Sequence, residues 1–349
     1  MEPVTHFMTG ACLSRTGLNR KTAYATLVMT IAAEAPDLDI VWGIGGPVAV
    51  FEHHRGITHT LVGAPFVALV VVAAIWLYHR WRKHKPEQPV RWKLLYACSL
   101  LAVLSHLLLD FTNNYGLRPF FPFNPRWYSW DIVFIVEPVI LAVLLVALVV
   151  PALLGLADRE IGARRKAFHG RGWAIFALAT MVLVWVVRNA EHERALNIVR
   201  SGTFTDAKIL RVAAQPSPVD PFRWFAVVET PDFFQTGLVN TRSGEARADD
   251  TILYKPPVTM ATLVAKRSWL GHVYLDWSSF ALVEDMGNEI PPGLDEGISP
   301  RATTVEFRDL RFAYSTMFLD AKRVPLSGFV VVGAERDIEA MIMNGQKQK

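Results

Sequence analysis

Residues 53–80 read HHRGITHTLVGAPFVALVVVAAIWLYHR. From residue 57 to 78 the stretch is apolar and long enough, as a helix, for the roughly 20 residues that a bilayer's hydrocarbon core requires. The same reading applies to 94–110, 132–156 and 173–187, the last of them short unless its helix runs on past Arg188. Overall composition agrees: 52% of the 349 residues are hydrophobic and only 19% charged, too apolar for an ordinary soluble domain. The expectation is a multi-pass membrane protein. Residues 1–10 show no basic start leading into an apolar core and a cleavage site, so the first span is expected to serve as the insertion signal. Cys12 and Cys98 fall in apolar helical patterns and read as packing residues.

Charge sets the expected threading. The connection at 79–93 carries six Lys or Arg and the one at 158–172 carries five, which assigns both to the cytoplasm. The 111–131 connection has only Arg118 and Arg126, and 36–56 has only Arg55, so these belong on the opposite side with everything after the fourth span. The net charge of +4 is thereby explained by topology, and no nucleic-acid partner is expected. Ahead of the first span, 3–14 and 22–35 read as a helical hairpin joined by a Gly- and Asn-containing basic turn.

An antiparallel hairpin returns residue 36 to the level of residue 6, where the first span begins and the second one ends. His6, Asp37, Asp39, His53, His54, His59, His106 and Asp110 are therefore expected at one end of one bundle, facing away from the cytoplasm. His106 and Asp110, four apart, share a helix face. Imidazole and carboxylate together suit a divalent transition metal, Zn foremost and Mn or Fe next, whereas Mg or Ca favours oxygen alone. The supply of donors admits one ion or two, and two ions about 3.5 to 4 Å apart are a known device for hydrolytic displacement. Arg55 and Asp39 are the expected catalytic groups, Arg55 because its guanidinium can grip an anion. One at a time these residues read as structural hydrogen-bonding groups. Their convergence from four segments, in a setting where ionisable groups are costly, favours a metal site. His79, His84, His169, His192 and His272 read as solvated. Asn113 and Asn114 read as a helix stop that can double as support for the ligands. Asp131 and Glu137 enter the third span, where each needs a partner or the site.

The motifs THFMTG (5–10), PDLD (36–39), HRGITHT (54–60), SHLLLDFTNNYG (105–116) and PFNPRWYSWDIVFIVEP (122–138) together resemble the YdjM-like family of bacterial inner-membrane, metal-dependent hydrolases. The resemblance covers the first 150 residues or so and extends more weakly through DPFRWFAVVE and VEFRDLRF. It implies a hydrolase of open substrate, and its His and Asp positions fall on His6, Asp37, Asp39, His54, His59, His106 and Asp110. His53 has no counterpart in the pattern, and Glu137 stands where the family commonly has Asp before Pro.

Beyond residue 188 an amphipathic helix is expected to leave the membrane, followed by alternating runs such as FRWFAVVET, TTVEFRDLRFAY and SGFVVVGAE that read as strands. The fold class expected is thus an α-helical membrane bundle, an N-terminal hairpin plus about four transmembrane helices over 1–188, followed by a small, mostly antiparallel β or α/β domain over 189–349. The function expected is hydrolysis of an ester or phosphoester of a lipid or lipid-linked substrate at the non-cytoplasmic face of a bacterial inner membrane. Its rivals are a non-enzymatic protein with a structural metal and a partner-binding C-terminal domain, and a metal transporter. The spans carry few polar residues below their outer third, which speaks against transport.

Overall fold

The computed structural model describes residues 1–160, 170–291, 294, 299–313 and 325–348. The chain divides into two compact units: Met1–Asp39 with Arg55–His192 and Pro216–Pro221, and Ile40–His54 with Glu193–Gln215 and Phe222–Lys349.

The first unit opens with α1 (Pro3–Arg15) and α2 (Ala25–Glu34), the expected hairpin. Pro3 suits the first turn of α1, where its missing N–H costs nothing, and the Glu2 carboxylate accepts from Thr5 N at 2.8 Å. Gly10 sets the approach of the two helices: a Cβ there would lie 2.4 Å from the Met29 carbonyl oxygen. Past α2 the backbone tightens into a 3-10 stretch, Ala35–Gly45, and the short α3 (Pro47–His53) belongs to the second unit.

Among the described residues, four helices are long and apolar enough to cross a membrane: α4 (Gly63–Trp81), α5 (Trp92–Thr112), α6 (Pro138–Glu160) and α7 (Arg171–Ile198). Two begin later than their apolar runs suggest. Residues 57–59 form a 3-10 turn, after which Thr60 Oγ1 accepts from Gly63 N at 2.8 Å and starts α4. Residues 132 and 133 are held extended by donating to the Thr112 carbonyl at 3.0 and 3.2 Å, and α6 waits for Pro138, which disfavours a helical residue before it. The fourth span and the amphipathic segment after Arg188 form one continuous helix. Small residues let α4 and α5 approach, with Ala64, Ala68, Cys98 and Ala102 buried and Ser99 Oγ donating to Ala68 O at 3.0 Å. Most of the second basic connection, His169 included, lies at 161–169, outside the described residues.

In the second unit β1 (Arg211–Pro216), β2 (Arg223–Glu229), β3 (Phe233–Asn240) and β4 (Glu245–Tyr254) form one sheet in chain order. The other sheet runs β5 (Ala281–Asp285), β6 (Thr303–Asp309), β7 (Gly328–Val332), β8 (Ile338–Met343) and β9 (Gln346–Lys347), with antiparallel pairings such as Val305 opposite Val330. Phe225, Val227 and Phe234 of the first sheet share a core with Phe280, Leu282 and Leu310. Between the sheets come two helices the strand reading did not anticipate, α8 (Met260–Arg267) and α9 (Trp269–Trp277). Thr259 and Ser268 cap them, and Phe51 of α3 packs on Tyr274 and Trp277 of α9.

Candidate metal centre

Three elements of the first unit bring four donors together. His106 and Asp110 lie one turn apart near the end of α5, His59 ends the 3-10 turn ahead of α4, and Asp37 sits in the 3-10 stretch after α2. Each offers one ligand atom, and the four atoms lie within 4.8 Å of one another. His59 Nε2 is 3.0 Å from His106 Nε2, 3.2 Å from Asp37 Oδ1 and 3.5 Å from Asp110 Oδ2. His106 Nε2 is 3.5 Å from both Asp37 Oδ1 and Asp110 Oδ2. A tetrahedral ion with bonds of about 2.0 to 2.1 Å separates its ligands by roughly 3.3 to 3.4 Å, so the spacing fits.

The far side of each imidazole decides what the near side presents. His106 Nδ1 lies 2.7 Å from the Ala33 carbonyl, which can only accept, so Nδ1 carries the proton and the neutral ring turns a bare Nε2 inward. His59 Nδ1 faces Thr58 Oγ1 at 3.0 Å and Asp39 Oδ2 at 3.3 Å, the carboxylate–histidine arrangement that orients a metal ligand. Two imidazole nitrogens and two carboxylate oxygens thus converge with lone pairs inward, an arrangement that requires a proton or a cation between them. Asp110 Oδ2 is buried with no hydrogen-bond partner among the described residues, as are both ring nitrogens of His6. The His6 ring stacks on His106 with centroids 3.8 Å apart, and its Nε2 is 3.4 Å from Asp110 Oδ1.

Protonation depends on surroundings. Burial opposes a charge on His59, but its hydrogen bonds with Asp37 and Asp39 and the charge of Asp110 raise its pKa above the ordinary value. Burial likewise pushes Asp37 up, yet the hydrogen bond with His59 brings it to about 2. His6 falls to about 3, chiefly through burial and with the N-terminal charge adding to it, which keeps it neutral. Burial and the charge of Asp37 push Glu34 up to about 7. Three of the four converging side chains are buried, and Asp37, with 22% of its side chain exposed, is the one that reaches the surface.

Asp39 and Arg55, expected as catalytic groups, are engaged in holding the donors. Asp39 Oδ2 accepts from Arg55 N at 2.8 Å and Thr58 Oγ1 at 3.3 Å, besides facing His59. Arg55, buried and left-handed at φ 58°, donates from Nη2 to Asp110 Oδ1 at 2.7 Å. Its Nη1 donates to Gly116 O at 2.7 Å and Asn113 Oδ1 at 3.3 Å, and its guanidinium lies over the Tyr115 ring. Asn113 is accordingly more than a helix stop. The Met1 amine also donates to Asp110 Oδ1. His54 closes α3 and, with His53, belongs to the second unit; His53 is half-buried, 3.7 Å from Glu52. Glu137 pairs with Arg188 at 2.8 Å. His79, expected in solvent, lies 3.1 Å from the Tyr24 hydroxyl. Sequence reasoning passed over Thr58 and the Ala33 carbonyl; the Thr beside His in ITHT was the available signal for the first.

A family model described as YdjM inner membrane protein matches residues 1–195. The chain belongs to the YdjM family. The YdjM match takes in every donor of the cluster, α4 to α6 and most of α7. A further relative, the uncharacterized protein YfhP of Bacillus subtilis, is 26% identical over 148 residues, 40% of this chain and 43% of that one. The aligned part thus spans less than half of that relative's length. No solved structure matches. This YdjM protein is a membrane protein with a buried His/Asp cluster fit to hold a metal ion.

Proposed function

We propose that the chain is a metal-dependent hydrolase of a bacterial inner membrane, cleaving an ester or phosphoester of a lipid or lipid-linked substrate on the non-cytoplasmic side. The observation that carries this reading is the asymmetry of the cluster. His59, His106 and Asp110 are buried behind Asp37, which opens to the surface, so an ion held there is reachable from one direction. Asp37, His59, His106 and Asp110 would hold the ion, Zn first among candidates and Mn or Fe next, with His6 adjacent as a further neutral donor. A bound ion of this kind lowers the pKa of a coordinated water and polarises an ester or phosphoryl oxygen. The protein's own groups supply orientation: Asp39 and Thr58 aim His59, the Ala33 carbonyl aims His106, and Arg55 balances the charge of Asp110 while leaving its Oδ2 inward. Asp39 and Arg55 act here as positioning residues. Sidedness rests on the basic 79–93 connection, at the end of α4 and α5 remote from the donors.

One observation favours a second reading. Four protein donors already complete a tetrahedral shell, the pattern of a structural site that staples helices and leaves the C-terminal unit to bind a partner. Elemental analysis of the detergent-purified protein, paired with a screen of p-nitrophenyl phosphoesters and carboxylic esters, separates the two. Activity that vanishes together with the metal in His59→Ala supports the hydrolase. Bound metal without turnover across the screen supports the staple, and no bound transition metal ends both.

A further inference from the structure

We propose that the mouth of the metal centre is seated against the acyl chains of the bilayer by an apolar rim of Leu38, Ile57, Leu61, Phe120 and Phe123. Whatever reaches the centre then comes from the lipid phase. The rim lies outside the spanning helices, so exposed apolar side chains there are not explained by the spans themselves. Leu38 lies between Asp37 and Asp39, both of which face His59, yet its own side chain is 68% exposed. Ile57 and Leu61 flank His59 and are exposed as well. Leu61 N donates to Pro119 O at 2.9 Å, which fastens the 111–131 loop beside that turn and brings along Phe120 and Phe123, the latter 84% exposed.

Depth and continuity name the occupant. At a rise of about 1.5 Å per residue α4 is close in length to a hydrocarbon core of roughly 30 Å, and Ile57 and Leu61 of the rim directly precede its first turn, at the membrane boundary. Exposed apolar side chains follow along α4 at Phe66, Leu69 and Val70. The nearby cation supports the same level: Arg118 lies over the rings of Trp127 and Phe121, at 4.7 and 5.2 Å from their centroids, an arrangement suited to the interface. An apolar surface next to polar donors at this depth is met by acyl chains, with the Asp37 side open toward the headgroups. The inference rests on the membrane assignment; where the hydrolase reading also holds, it selects an amphiphilic ester over a water-soluble one.

Leu38→Cys and Phe123→Cys, each labelled with bimane and reconstituted into phosphatidylcholine–phosphatidylglycerol vesicles, test it by quenching. Ser243→Cys, exposed in the turn between β3 and β4, serves as the aqueous reference. Cys12 and Cys98 are buried, so the wild type supplies the labelling blank. At both rim positions, lipids brominated near the top of the acyl chain should quench at least threefold more than at Ser243, and iodide correspondingly less. Iodide quenching equal to that at Ser243 overturns the proposal, and Leu61→Cys reads the same surface should either variant fail to reconstitute. The readout needs neither metal nor turnover, so its failure and that of the hydrolase reading are told apart.

Discussion

Two buried ionic clusters in the first unit were assembled on opposite principles. At the head of α6 and along α7, Glu137 meets Arg188 at 2.8 Å, both side chains nearly sealed from solvent, and Arg188 adds a hydrogen bond to the Asp220 carbonyl at 3.3 Å. Anion and cation are both protein groups there, and the pair is complete. At the mouth of α4 and α5, two imidazole nitrogens and two carboxylate oxygens point at one another, and the cations beside them, Arg55 and the Met1 amine, are both spent on the outer oxygen of Asp110. The first arrangement is what a fold needs to close a buried charge; the second has lone pairs in excess, which stability alone does not ask for.

The sharpest way to break the contrast is to remove a donor from each. Asp110→Ala should abolish stoichiometric metal uptake in elemental analysis, weakening affinity by on the order of a thousandfold or more, since one of the converging donors is lost outright. Glu137→Ala should leave metal content per folded molecule unchanged. It should instead lower stability by about 3 to 5 kcal/mol, read from thermal unfolding in detergent, because Arg188 is left buried and unpaired. The double variant Glu137→Leu with Arg188→Met should recover most of that loss. Metal loss in the Glu137 variant would show the two clusters to be one coupled system.

The difference between the clusters also explains how much could be read from the sequence. His106 and Asp110 are legible because helical spacing places them on one face, and Asp37 and His59 because hairpin return and span entry bring both to that level. Gly10 is legible only as the end of THFMTG; its physical task, admitting the Met29 carbonyl, needs the packing, as does that of Gly63 at the Ile57 carbonyl. The contacts of Arg55 could not be read: its left-handed backbone turns the guanidinium inward onto Asp110 and Gly116, which its place between histidines does not announce. The helices α8 and α9 were missed because each is only 8 or 9 residues long, too short for an apolar period to stand out from the strands around them. Their caps, Thr259 and Ser268, were the overlooked signals.

A smaller effect tests the orienting groups. Asp39→Asn keeps the shape but removes the carboxylate facing His59 Nδ1, and partners of this kind are worth about 10 to 100-fold in metal affinity. Competition with a chromogenic chelator should register that drop, while the Glu137 pair and overall stability stay within about 1 kcal/mol of wild type on the mutational scale for such sites. An unchanged affinity would mean that Thr58 alone holds the ring.

The smallest effect is graded and comes from protons. Without a metal, His59 has a raised pKa because Asp37, Asp39 and Asp110 favour its charged form, so a proton occupies the position a cation would take. Metal binding requires that proton to leave. Above the raised pKa of His59 the ring is neutral and affinity is level, and below it affinity falls by about tenfold per pH unit for one proton displaced. Apo stability from the charged His59 runs the opposite way, complete below the ordinary pKa and lost as pH rises through the raised one. Metal-binding titrations at successive pH values, set beside apo unfolding at the same values, should therefore cross: affinity climbing with pH while apo stability declines. The Glu137–Arg188 pair, which has no proton to exchange for a cation, should leave no trace in the first of these curves.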